Sequence, residues 1–483
     1  MGFRAILLPF ASIYLFVKDQ YDVIVIGAGS AGLAAARAAR EVGASVCVVE
    51  ADRLGGDCPN WACVPSKALL RVAGAYRKMR GVSELGLAST GISFDWKKVG
   101  AGRQAVVDGV TGGDGSRYRA WAKEQGVDVR LGSARFIRPT SIEVDGERLE
   151  ANTFVIATGS EDRIPDVHGL STIPFLTSRE AWQLDRLPKS MAIIGGGPVG
   201  CELATAFASF GVRVVLVESA ATVLNKEESD LSVLVQEQLE RLGVEIVVGG
   251  KVVEAINARG GVYGLKVQAG GSVATHAIDV VVVAVGRKGR VGGLGLETVG
   301  VAVDTPGFIA TNQEQRTSAK HIWAAGDVTG GMLFTHVAHP EGAVAGNNAA
   351  RAALGKRGVS ERAVFGSVPR VTFVSPELAS VGETVADVRG RLKKVLVGRA
   401  HVMGLARAKA DRVSWGMCIL VAHPRSKKIL GCHILAPHAG EVIHEATLAI
   451  KLGTTIDDLA NTIHAFPTYS EILALAAANM NLE

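Results

Sequence analysis

The chain has 483 residues, 48% hydrophobic and 20% charged, a balance that excludes a disordered or fibrous protein; the length is too great for one ordinary core, so about three domains are expected. Fifty-two Lys and Arg against 47 Asp and Glu leave a formal net charge of +5, and their scatter along the chain excludes a nucleic-acid partner. Six cysteines in so long a chain exclude the disulfide framework of a small secreted domain.

At the N-terminus, "AILLPFASIYLFV" (Ala5 to Val17) is a run of 13 apolar-leaning residues between Arg4 and Lys18. It falls short of the ~20 residues that span a bilayer. Two readings stay open: a packed or misassigned terminal segment on a cytoplasmic protein, or a peripheral membrane anchor formed by residues 5–17.

From Tyr21 the texture changes. "DVIVIGAGSAGLAAARAAREVGASVCVVE" begins with a continuous apolar run, as a strand buried on both faces requires. It turns through Gly27, Gly29 and Gly32 into an alanine-rich helix and closes on a second apolar run ending in Glu50. The plan returns in "SMAIIGGGPVGCELATAFASFGVRVVLVE", where Gly195, Gly197, Gly200, Gly211 and Glu218 each stand 168 positions after Gly27, Gly29, Gly32, Gly43 and Glu50. The first glycine permits a tight turn, the second lets backbone amides approach a pyrophosphate, and the third lets helix and strand pack closely. The helix N-terminus then faces the phosphates, and the acidic residue accepts hydrogen bonds from ribose hydroxyls. One such motif is a weak signal, but two in register predict two dinucleotide sites.

Between the two units stands "GGDCPNWACVPSKALLR" (Gly55 to Arg71), with Cys58 and Cys63 separated by four intervening residues just before a helix. A metal site, a staple and a redox pair would each place thiols this way. Zinc would need a second tight ligand cluster, and the sequence has no second C-x-x-C. Of the remaining cysteines, Cys47 and Cys418 sit in apolar runs and read as buried small hydrophobes; only Cys58 and Cys63 look paired. The pair follows Glu50 by eight residues, beside the first dinucleotide. A dithiol needs a two-electron partner, which a flavin supplies, so the first unit is expected to hold FAD and the second the nicotinamide. Glu218, followed by "SAATVLN" without an arginine, favours NAD over NADP.

"FVIATGS" (Phe154 to Ser160) reads as the strand leading out of the first unit and "VVVAVGR" (Val281 to Arg287) as the strand leading back, with Gly159 and Gly286 assigned to cofactor binding. "HIWAAGDV" is a strand ending at Gly326–Asp327, ahead of a helix that starts near Thr335, and antiparallel strands begin near Phe365. The expectation is an α/β protein with two Rossmann-like domains and a C-terminal α+β domain. An apolar segment (1–20) precedes a discontinuous FAD-binding domain (21–160 and 288–360). An NAD-binding domain (161–287) interrupts it, and a dimerisation domain (361–483) follows.

From Tyr21 to Leu475 the chain resembles the FAD-dependent pyridine nucleotide-disulfide oxidoreductases, the family of dihydrolipoamide dehydrogenase, glutathione reductase and mercuric reductase. "GGDCPNWACVPSKALL", "HIWAAGDV", "VPRVTFVSPELASVG" and "FPTYSE" carry the resemblance. It implies that Cys58 and Cys63 form the redox-active disulfide, Cys63 next to the flavin and Cys58 meeting the substrate. Lys67 and Glu202 match an ion pair near the flavin N5, and Asp327 matches the acid that holds the ribityl chain. The segment Leu333 to Gly342 matches the helix start facing the flavin O2 edge. The family is homodimeric, with its last segment lent to the partner's active site. Electrons would pass between NAD(H), FAD and the disulfide, and then a small-molecule disulfide or dithiol.

Two departures qualify this. Where the disulfide-reducing members have His-Pro and an orienting Glu, this chain reads "HAFPTYSE" (His464 to Glu471): Pro467 and Glu471 match, but Phe466 replaces the acid/base and the nearest imidazole is His464. The vicinal C-terminal cysteines of mercuric reductase are missing, since the chain ends "NMNLE", and Pro59 and Trp61 are unusual in the Cys loop. A second function class therefore stands beside the first, an NADH-driven reductase of a quinone or a metal ion such as Hg2+.

Overall fold

The computed structural model of the chain describes residues 20–88, 90–257, 261–358 and 360–483, so the apolar run 5–17 lies outside the described residues. Strand β1 (Gln20–Ile26), helix α1 (Ser30–Val42) and strand β2 (Val46–Glu50) form the first unit, followed by the short helix α2 (Asp57–Asn60) and the long helix α3 (Cys63–Arg80). Val23, Ile24, Val25 and Ile26 are all buried because both faces of the sheet are covered. β1 pairs in parallel with β2 on one side and with Glu147–Ile156 on the other. The whole sheet has seven strands: Asp128–Leu131, β2, β1, Glu147–Ile156, Ser141–Val144 and Ala134–Arg138 in spatial order, with Ile322–Ala324 also on Glu147–Ile156. Against α1 lies the helix Thr335–Ala353. A Cβ at Gly342 or Gly346 would stand 2.0 or 2.1 Å from the backbone oxygen of Ala31 or Ala35, so only glycine permits this approach. That close packing aims the start of the helix, Thr335, at the end of the sheet where the cysteines lie.

The second unit repeats the plan with strand Ser190–Ile194, helix Pro198–Ser209 and strand Arg213–Glu218. Its five-stranded sheet runs Glu245–Val248, Arg213–Glu218, Ser190–Ile194, Val280–Val283, Phe175–Leu176. The apolar part of "VVVAVGR" is thus a core strand of this second sheet, because it pairs in parallel with Ser190–Ile194. The passage back is instead the short strand Arg287–Gly289, which pairs antiparallel with the outgoing Ser160–Asp162. A six-stranded sheet holds the C-terminal part: Arg370–Thr372, Glu377–Gly382, Ile429–Ala436, Met417–Ala422, Leu396–His401, Met480–Leu482.

One apolar cluster runs from Leu69 and Ala73 of α3 through Phe207 and Leu216 to Val374, Ile419 and Leu435, so α3, the second unit and the antiparallel sheet share a core. In that antiparallel sheet the Sγ atoms of Cys418 and Cys432 lie 3.9 Å apart, fully buried. Sequence reading treats Cys58 and Cys63 as the sole pair; strand register brings these two together as diagonal neighbours, with Cys418 opposite Ile434 and Cys432 opposite Leu420 on adjacent strands. Among the described residues, no helix is long and apolar enough to cross a membrane.

Candidate active site

A cavity of about 420 Å³ opens along the ends of the first sheet's parallel strands, lined among others by Gly27, Gly29, Glu50, Cys58, Gly159 and Asp327. The glycines of the first loop divide by cause. Gly27 has φ +106° and a Cβ there would meet the Ala157 oxygen at 2.3 Å; at Gly32 it would meet the Gly27 oxygen at 1.9 Å. Gly29 is different: its nearest neighbour would be Gly56 Cα at 3.8 Å, so nothing in the protein itself crowds it. The second loop has the same division. Gly195 and Gly200 are crowded by Ala284 and Gly195 oxygens, whereas Gly197 has nothing within 4 Å. Bare backbone at the middle glycine, facing open space, is what a diphosphate needs for close approach to the amides.

The acidic residues match in both copies. Glu50 accepts from Ala28 N at 2.7 Å and Asp52 N at 2.8 Å, and Glu218 accepts from Gly196 N and Ala220 N at 2.7 Å each. Each carboxylate thereby stitches its glycine loop to the end of the second strand. The two loops fit two dinucleotides.

At the cavity's inner end the two cysteines are hydrogen-bonded to each other as thiols. Cys63 begins α3, and its Sγ lies 3.8 Å from Thr335 Oγ1. The bond with Cys63, and then burial, push the Cys58 thiol well up. The same bond brings Cys63 down to about 6, helped by Thr335 and the Lys67 ammonium and opposed by burial. A half-buried pair in which one sulfur donates and the other carries charge is asymmetric before any substrate arrives.

Lys67 lies one turn beyond Cys63 and places Nζ 2.8 Å from Glu202 Oε2. Glu202 is 6% exposed, and its other oxygen accepts from Phe373 N at 3.0 Å. The Phe373 ring packs under Lys67 Nζ at 4.4 Å from its centroid. Asp327 accepts from Ser160 Oγ at 2.7 Å, and burial pushes its carboxyl up. Gly286 turns at φ +112° after the second sheet and accepts from Arg163 N, away from the cavity wall.

The C-terminal residues stand elsewhere. His464 donates through Nδ1 to the Thr462 carbonyl and meets Glu445 Oε1 through Nε2, both at 3.0 Å. Glu471 accepts from Thr468 N at 2.9 Å, and Phe466 is 74% exposed. None of the three lines the cavity.

Sequence reasoning missed the side-chain roles of Thr335, Phe373, Ser160 and Arg287, although Thr335 falls in the helix start it assigned to the flavin. Each is brought in by a different element, so local spacing gives no signal; only the T-H-V-A-H helix start and the G-R dipeptide point toward two of them. Trp61, whose role the sequence leaves open, packs against the guanidiniums of Arg53 and Arg179, 4.4 and 4.0 Å from its ring centroid. Among the described residues, no group of three or more His, Cys, Asp or Glu is placed to hold a metal ion.

Comparison with known proteins agrees with this arrangement. Residues 21–342 match the pyridine nucleotide-disulphide oxidoreductase family and residues 368–477 match its dimerisation domain. The chain is 38% identical over 466 residues to a dihydrolipoyl dehydrogenase of Thermus scotoductus, covering 95% of this chain and 96% of that protein. It is 32% identical over 463 residues to a mercuric reductase of Staphylococcus aureus, covering 96% and 83%. Among solved structures it is similar to the HOCl-induced flavoprotein disulfide reductase RclA from Escherichia coli, with TM-score 0.83, 26% identity and 95% and 99% of the two chains covered. A Cu(II) complex of RclA superposes with TM-score 0.83 at 25% identity.

Proposed function

The chain belongs to the pyridine nucleotide-disulphide oxidoreductases, and from that premise we propose that it passes electrons from NADH to the Cys58–Cys63 pair and on to an acceptor that needs no proton from the protein's C-terminal segment. It is an FAD-dependent oxidoreductase of the dihydrolipoyl dehydrogenase type, with FAD and NAD as cofactors. FAD when bound supplies two-electron transfer between the nicotinamide and the dithiol. We assign FAD to residues 21–160 and 288–360, NAD to 161–287 and the subunit interface of a homodimer to 361–483.

Within this reading each side chain has one task. Gly27, Gly29, Gly32 and Glu50 shape the FAD diphosphate and ribose site; Gly195, Gly197, Gly200 and Glu218 do the same for NAD. Asp327, backed by Ser160, and Gly159 line the rest of the FAD cavity. Lys67, held by Glu202, keeps positive charge one helical turn from Cys63 and favours its thiolate. Cys58 holds its proton at rest and is the sulfur offered to the acceptor, releasing that proton to solvent when a cation binds.

The acceptor reading takes Phe466 as the position of the family's acid/base, as the resemblance implies, and is supported by one observation: the neighbouring His464 imidazole is engaged by Glu445. A disulfide acceptor releases a thiolate that a positioned acid protonates, typically worth ~10²–10⁴ in rate. A thiophilic ion bound by two sulfurs releases no such group, and two thiolates suit a soft metal ion as substrate. Similarity to a mercuric reductase and to a protein described with Cu(II) supports this direction. The test is NADH oxidation with lipoamide, glutathione disulfide, a quinone, Hg2+ and Cu2+ as acceptors. Turnover should be clearly faster with an ion than with either disulfide; fast, saturable lipoamide turnover would overturn the acceptor reading.

A further inference from the structure

The wall of the FAD cavity is acidic. Glu50, Asp52, Asp57 and Asp327 all line it, against Arg53 and Arg290 as the cationic residues in the same lining. A dinucleotide brings two further negative charges, so these carboxylates oppose it unless each is engaged. Two are held within the first unit: Glu50 accepts backbone amides and Asp327 accepts from Ser160. The other two are held from the second unit, Asp52 by Arg179 at 2.7 Å and Asp57, nearest the thiol, by Arg287 Nη2 at 2.6 Å.

Arg287 does more than pair with Asp57. Its Nε donates to Ser160 Oγ at 2.6 Å and its Nη2 to the Ser160 carbonyl at 2.8 Å; that same Oγ donates to Asp327. Nη1 stands 3.8 Å from Asp162. One guanidinium therefore faces Asp57 directly and Asp327 through a buried hydroxyl. It also sits on the short return strand from the second unit, whose partner strand is Ser160–Asp162. Asp57 is the residue before Cys58 and the first of α2.

We infer that Arg287 is a positioning residue for cofactor and thiol together: it neutralises the carboxylate that the redox loop presents to the FAD diphosphate, and it ties that loop to the strand returning from the nucleotide-binding unit. Arginine suits the task because its fork serves two carboxylates and a carbonyl at once, where a lysine ammonium serves one direction. The inference rests on the FAD assignment and is independent of which acceptor the enzyme uses.

The test is a double-mutant cycle on holoenzyme, reading FAD release by flavin fluorescence and Cys58 accessibility by alkylation rate after reduction, with no acceptor present. Arg287→Met keeps the apolar stem and removes the charge. It should loosen FAD by about 10- to 100-fold, because an unpaired carboxylate then faces the diphosphate. Asp57→Asn should bind FAD at least as tightly as wild type. The combined Arg287→Met/Asp57→Asn protein should return to within about threefold of Asp57→Asn. Arg287→Lys should fall between, with a faster alkylation rate than wild type. If the combined variant is as loose as Arg287→Met alone, or if Asp57→Asn by itself loosens FAD as much as Arg287→Met, the inference fails. Should Arg287→Met not fold, the combined variant against Asp57→Asn decides the matter alone. Tight FAD in both supports the charge role, and loss of FAD in the combined variant refutes it.

Discussion

Replacing Lys67 by Met isolates how the protein makes a thiolate. Cys63 and Lys67 are four residues apart on α3, so their side chains share a face with Cβ atoms about 5–6 Å apart. A unit charge at that distance and an effective dielectric near 20 interacts with a thiolate by roughly 3 kcal/mol. The Lys67 side chain is 35% exposed and already neutralised in part by Glu202, so solvent and the partner reduce this to about 1–1.5 kcal/mol, or about one pK unit. Cys63, now brought down to about 6, should therefore titrate about one unit higher in the variant. The readout is the pH titration of the long-wavelength thiolate–flavin band in NADH-reduced holoenzyme, with alkylation rate as a second measure. Cys63→Ser should abolish the band and Cys58→Ser should keep it. Glu202, left with only the Phe373 amide, also pushes Cys63 up, so adding Glu202→Gln to Lys67→Met should lower the midpoint part of the way back. An unchanged midpoint in Lys67→Met, or a double variant higher than the single, refutes this account of the thiolate.

Phe466→His should raise lipoamide turnover by about tenfold or more, provided Glu471 gives up the Thr468 amide to orient the new ring; no gain would mean that the proton is not limiting. His464→Ala should reduce thermal stability slightly and leave turnover intact, since the ring is engaged by Thr462 and Glu445; a folded but crippled variant would make His464 the acid/base. NADH should exceed NADPH in kcat/KM, because an acid that closes such a glycine loop, as Glu218 does, disfavours a ribose 2′-phosphate, and a Glu218→Ala variant should narrow the gap; a wild-type preference for NADPH sinks the argument. Fully buried His433 has its imidazole pushed down to about 4 from about 6.5 by burial. Between those values the unfolded chain binds a proton that the folded one refuses, so stability should fall as pH drops from about 7 to 4, by about 3 kcal/mol. His433→Leu should flatten that acid limb in urea titrations, and an unaltered slope would show that other groups set it.

What the sequence determined by itself was local and periodic. Two glycine loops with their strands, helices and closing glutamates are legible because each is a contiguous βαβ segment whose geometry follows from residue spacing. The Cys58–Cys63 loop and Lys67 are legible for the same reason, since four residues on a helix or in a tight turn fix who meets whom. Glu202 was reachable through family resemblance, and its burial against Phe373 was not. The tertiary structure alone decided which residues meet from distant strands: Arg287 on Asp57, Ser160 on Asp327, Thr335 on Cys63, and Cys418 beside Cys432. It also decided that His464 is held by Glu445, a partner 19 residues away, which "HAFPTYSE" does not contain. Side-chain hydrogen bonds depend on where strand order and helix packing set each backbone, and those are settled by burial of the whole core. Periodicity assigns a residue to an element's inner or outer face; only the packing of the elements assigns it a neighbour.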